Sequence, residues 1–148
     1  MTGPARLRRD ETGSILPLTI FFGFLALVLV LIVVAASSLY LERKRLFSLA
    51  DSAALVGAEA YDLDAVQQTP TGARARLTST DVASAVTGFV AEAPGSRFES
   101  LEVLRAESTD GRSATVELAA YWRPPVLSLL VPEGFRIEVT AVARSVFD

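Results

Sequence analysis

Residues 15–41 are twenty-seven consecutive uncharged, largely apolar positions, with Arg6, Arg8 and Arg9 before them and Glu42, Arg43, Lys44 and Arg45 after. As a helix rising about 1.5 Å per residue, such a run is roughly 40 Å long, more than the roughly 30 Å hydrocarbon core of a bilayer requires. It is apolar on every face, which a lipid-facing helix needs and the core of a small domain does not. The pattern predicts a transmembrane helix over 15–41. The helical period then continues in water. Leu46, Leu49, Ala53, Val56, Gly57 and Ala60 recur at spacings of three and four, with Arg45, Ser48, Asp51, Ser52 and Glu59 on the other faces, the pattern of an amphipathic helix. One rod from Pro17 to about Tyr61 is expected, 42–61 being its amphipathic extension. Its narrow, small-residue stripe needs a surface to lie on, either the chain's own domain or a neighbouring copy. Leu46, Leu49, Asp51, Ala53, Ala54, Val56 and Gly57 are therefore the candidate protein interface. Asp51 there has two readings, a contact to a partner subunit or a charge that keeps the polar face wet, and its spacing favours the second.

Residues 62–80 contain Pro70, Gly72 and several Thr and Gln and read as a linker. A short helix should follow, with Val82, Ala85, Val86, Phe89 and Val90 on one face, Asp81 as N-cap and Pro94-Gly95 as its end. The period then changes from helical to two. A strand is expected over 98–106, a turn over 108–112 around Asp110-Gly111, and a return strand on which Ala114, Val116, Leu118, Ala120 and Trp122 alternate. After Pro124-Pro125 come a short apolar piece, 126–131, and a turn at 132–134. A third strand then puts Phe135, Ile137, Val139, Ala141 and Ala143 on one face. The fold class is α+β: a long transmembrane helix extended into an amphipathic one, then a small domain with a short helix and a three-stranded antiparallel sheet, packed helix on sheet. The expected division is a cytoplasmic segment 1–14, span 15–41, extension 42–61, linker 62–80 and domain 81–148.

Composition narrows the chemistry. The chain has neither cysteine nor histidine, which removes disulfides, thiolate ligands, the commonest metal ligand and the commonest neutral-pH base. From residue 46 onward fourteen acidic residues stand against eight arginines, a net charge of minus six that repels nucleic acid. Lys44 and Ser48 could form a serine-lysine pair, although a snorkelling lysine and a solvated serine are the simpler reading. Asp62 and Asp64 supply too few ligands for calcium. Adjacent on a strand, Tyr121 and Trp122 point to opposite faces, so one is core and the other a candidate exposed anchor. No phosphate-cradling glycine loop occurs. No catalytic, cofactor or metal residue is assigned, and the chain reads as non-enzymatic. A cleaved signal would have an apolar stretch of only about 7 to 15 residues; this one is longer, although Ala35, Ala36, Ser37 and Ser38 have the small size a cleavage region uses. Three basic residues flank each end, so charge does not set the orientation.

The Gly13-Ser14-x-x-Pro17 approach to the span, the Ala36-Ser37-Ser38-Leu39-Tyr40 exit, the basic stretch after it and the run from Leu49 to Ala58 resemble the N-terminal region of TadE/TadG-like proteins of the Flp, or tight-adherence, pilus system. The type is that of high-GC Gram-positive bacteria, consistent with thirteen arginines to one lysine. A long N-terminal helix followed by a small sheet is similar in plan to pilins and pseudopilins. The resemblance implies a single-pass plasma-membrane protein with a cytoplasmic N-terminus and an extracellular C-terminal domain. It would serve as an accessory or minor-pilin-like component of pilus assembly. Its partners would be membrane lipid, other pilus or secretion proteins and, through the N-terminal helix, copies of itself, but no nucleic acid. It also implies processing near Gly13 and Ser14, against a plain joint before the helix. Pilin precursors carry Glu at the fifth position beyond the cut, where this chain has Leu18. A single-pass envelope sensor or a cell-wall or ligand-binding protein is the alternative.

Overall fold

The structure, a computed structural model, describes residues 15–61, 67–69, 72–74, 76–93, 98–123 and 133–144. Helix α1 runs unbroken over Ile15–Ala58, 44 residues or about 66 Å, ending slightly short of the Tyr61 that the pattern allows. Strands β1 (Gln67–Thr69) and β2 (Gly72–Arg74) form a small antiparallel hairpin. Helix α2 (Ser79–Glu92) precedes β3 (Glu99–Glu107), β4 (Ser113–Trp122) and β5 (Phe135–Arg144), which pair as an antiparallel sheet in the order β3-β4-β5. The layout is α+β, as the periodicities predict.

The core lies where both helices cover one face of the sheet. Ala114, Val116, Leu118, Ala120 and Trp122 of β4 and Ile137, Val139, Ala141 and Ala143 of β5 all point into it, the alternation that period two demands. Phe135 shares that parity but stays half exposed beside Trp122, ring centroids 6.2 Å apart. Beneath the sheet α1 contributes Leu46, Ala50, Ala53, Ala54, Gly57 and Ala58, and α2 contributes Val82 and Val86. The buried stripe of α1 is broader than the one expected, and it is turned toward Ala50, Ala54 and Ala58, because α2 and the sheet approach from two sides. In β3 the register slips between Val103 and Arg105. Leu104 and Arg105 therefore both face outward, while Val103 and Ala106 pack on the core, the signature of a bulge.

Two expectations between residues 62 and 81 are corrected. That stretch is not loop throughout, since it holds the β1-β2 hairpin and the first turn of α2. Nor is Asp81 the N-cap. Thr78 is: its backbone is extended and its hydroxyl accepts from the Asp81 N–H. The Thr78 hydroxyl in turn donates to the carboxylate of Asp81, the third helical residue, which holds the cap in place. Gly13, Ser14, Asp62, Asp64, Pro94-Gly95 and the piece 126–131 lie outside the described residues.

Candidate functional site

Helix α1 packs against α2, β4 and β5, and its environment changes along its length. Over residues 15–35 nothing in the described structure covers it: Ile15, Leu16, Ile20, Phe24, Ile32 and Val33 are each more than half exposed. No part of its most apolar window is buried. Among the described residues it is the one helix long and apolar enough to cross a membrane. The Thr19 hydroxyl donates to the Ile15 carbonyl at 2.9 Å, so this polar group needs no water. These twenty-one residues make about 31 Å of helix, the thickness of a hydrocarbon core.

From Ala36 onward the sheet meets the helix. Leu39 packs against the core, and the indole N–H of Trp122 donates to the Ser38 hydroxyl at 3.3 Å. Of the adjacent aromatics, Trp122 is thus the core residue, with its polar edge turned to α1. Tyr121 lies on the other face and is a hydrogen-bond partner of Arg136. That outer face is laced with ion pairs: Arg105 to Glu117 at 3.0 Å, Arg123 to Glu99 at 2.9 Å and Arg136 to Glu138 at 2.8 Å. Glu117 holds the Arg105 guanidinium above its ordinary pKa, chiefly by hydrogen bonding. Partial desolvation opposes the Arg136 charge, yet Tyr121, Glu138 and Glu102 outweigh it and raise that pKa too. Exposed pairs of this kind contribute little stability and mark a solvated face.

The candidate interface residues separate by position. Leu46, Ala53, Ala54 and Gly57 are buried beneath the chain's own sheet and α2, while Leu49 and Val56 are half-buried and Asp51 is exposed. A Cβ on Gly57 would stand 3.1 Å from Val86 Cγ2 and 3.2 Å from Ala114 Cβ, so the glycine sets how closely α1, α2 and β4 converge. Flanking the buried stripe, the helix presents Phe47 and Leu55, each about half exposed, on either side of Asp51. Neither belongs to the small-residue stripe; their signal in the sequence is two large apolar residues four positions either side of a charge, among the polar positions of the helix. Lys44 and Ser48 are both exposed, and the Ser48 carbonyl accepts from the Ser52 hydroxyl. Among the described residues no group of three or more Asp or Glu could hold a metal ion.

No curated protein and no solved structure matches the chain. Residues 13–60, about a third of the chain and in substance the whole of α1, match the family model described as putative Flp pilus-assembly TadE/G-like.

Proposed function

We propose that the chain is a membrane-anchored, non-enzymatic component of Flp pilus assembly, working through protein contacts as an accessory factor or minor-pilin-like subunit. The observation that carries this reading is the coincidence of the family match, residues 13–60, with one helix that is bare and apolar at its N-terminal half and docked under its own domain at the other. In this reading residues 15–35 cross the plasma membrane once, the N-terminus is cytoplasmic, and the domain stands outside. Leu46, Ala53, Ala54 and Gly57 bind the domain to the rod. Phe47, Asp51 and Leu55, with the edges of Leu49 and Val56, are what the rod offers to other assembly proteins or to a second copy.

Deletion of the gene tests it. Loss of Flp pili, restored by the wild-type chain but not by Phe47→Glu/Leu55→Glu, is the expected outcome. Normal piliation in the deletion strain contradicts the proposal, and full rescue by the double variant contradicts the assigned contact face.

A further inference from the structure

Between α1 and β5 lies a crevice of about 470 Å³, walled by Ala36, Leu39, Tyr40 and Arg43 on the helix and by Arg136, Ile137 and Glu138 on the strand. Ile137 is buried and Leu39 packs on the core, so the deep part is apolar, whereas Tyr40 is about two-thirds exposed and Arg43 lies open. We propose that this crevice seats an anionic phospholipid, its phosphate on Arg43 and part of an acyl chain against Leu39 and Ile137.

Three observations choose lipid as the occupant. The first is height. The uncovered span ends at Ala35 and the crevice begins at Ala36, so Ala36 to Tyr40 fall within the headgroup layer, which is several ångströms deep on each side of the hydrocarbon. The second is direction. Side chains of a helix lean toward its N-terminus, which here is toward the bilayer, so Arg43 reaches back down over the crevice mouth in the manner of a snorkelling cation. The third is charge. Arg43 makes no ion pair among the described residues, unlike Arg45 with Glu42, whereas Arg136 is already paired with Glu138 and Glu102, so Arg43 is the cation left for an anionic headgroup. Trp122 and Phe135 end their strands beside this crevice, amphipathic or apolar rings of the kind enriched at membrane interfaces. The proposal rests on α1 spanning the bilayer.

Trp122 is the only tryptophan and so reports on this end of the domain alone. The full chain is reconstituted in vesicles of phosphatidylcholine and phosphatidylglycerol at one fixed composition, with bromine carried on the acyl chains of one lipid or of the other. Surface charge is then identical, and only the identity of the neighbouring lipid differs. Trp122 quenching should report an enrichment of phosphatidylglycerol of about fivefold, the partition one arginine near an anionic surface produces. Arg43→Gln should abolish the difference, and Lys44→Gln, which removes the same charge one residue away and outside the crevice, should preserve it. Equal quenching by the two lipids overturns the proposal, as does a preference that survives Arg43→Gln or is lost equally in Lys44→Gln. Quenching that follows protein density instead of lipid identity assigns the crevice to a second copy of the chain and overturns it as well. A chain that fails to float with the vesicles after an alkaline wash refutes the spanning helix itself, a failure separate from loss of lipid preference.

Discussion

Two single positions carry more of the structure than their size suggests. Gly57 lies where α1, α2 and β4 converge, and any side chain there must displace Val82, Val86 and Ala114 together. Gly57→Leu should lower stability by about 1–3 kcal/mol, the range for overpacking a close-packed core, read as a reduced melting temperature of the full chain in detergent. An unchanged melt would show that the helices have room to part. Asp110 closes the β3-β4 turn. Its carboxylate accepts from the Arg112 and Ser113 N–H groups at 2.9 and 2.7 Å and from the Ser113 hydroxyl at 2.7 Å, beside Gly111 at φ +68. The Ser113 hydroxyl bond, followed by the two backbone bonds, lowers its pKa from the usual 3.8 to about 2. A depressed carboxylate stabilises the fold above its unfolded pKa, and that contribution is lost as pH falls through the folded value. Asp110→Asn should therefore melt below wild type at pH 6, with the gap closing between about pH 4 and pH 2. A gap that is constant over that range contradicts the assignment.

At the scale of elements, the start of α2 is fixed by chemistry as much as by pattern. Thr78 caps it and is held by the Asp81 carboxylate, the Leu77 N–H donates to the Gly111 carbonyl at 3.0 Å, and the Ser79 hydroxyl donates to the Ser108 carbonyl at 3.0 Å. The first turn of the helix is thereby joined to the β3-β4 turn. Thr78→Ala should cost about 1 kcal/mol and speed hydrogen exchange in the first turn of α2; exchange that is unchanged would place the start of the helix elsewhere. Thr78 and Asp81 are both good cap residues one turn apart, and pattern alone does not say which of the two caps the helix. The strands were legible because one buried face forces strict alternation, as from Ala114 to Trp122. The bulge at Leu104-Arg105 was not, since it depends on partners across the sheet. The docked half of α1 was visible as a small-residue stripe, yet a stripe does not say what covers it. Ala50 and Ala58 entered the core only because α2 approaches from a second side.

For the whole molecule, one continuous helix links two environments, and the account depends on where the boundary between them falls. The uncharged run alone allowed a span anywhere within 15–41. The sheet narrows it, because a domain with an ion-paired outer face cannot sink into hydrocarbon, and it already touches the helix at Ser38. In the proposed reading residues 15–35 are left to the lipid, and the likeness of 13–60 to the TadE/G-like family model supports a place for this arrangement in pilus assembly.

The absence of cysteine makes the central claim directly measurable, because single cysteines placed along α1 can be labelled on intact cells with a membrane-impermeant maleimide against no background. Ile20→Cys, Leu27→Cys and Val33→Cys should stay unlabelled, and Lys44→Cys, Ser48→Cys and Asp51→Cys should label from outside. Labelling throughout residues 20–33, or labelling at 44–51 only after the cells are opened, would contradict the account.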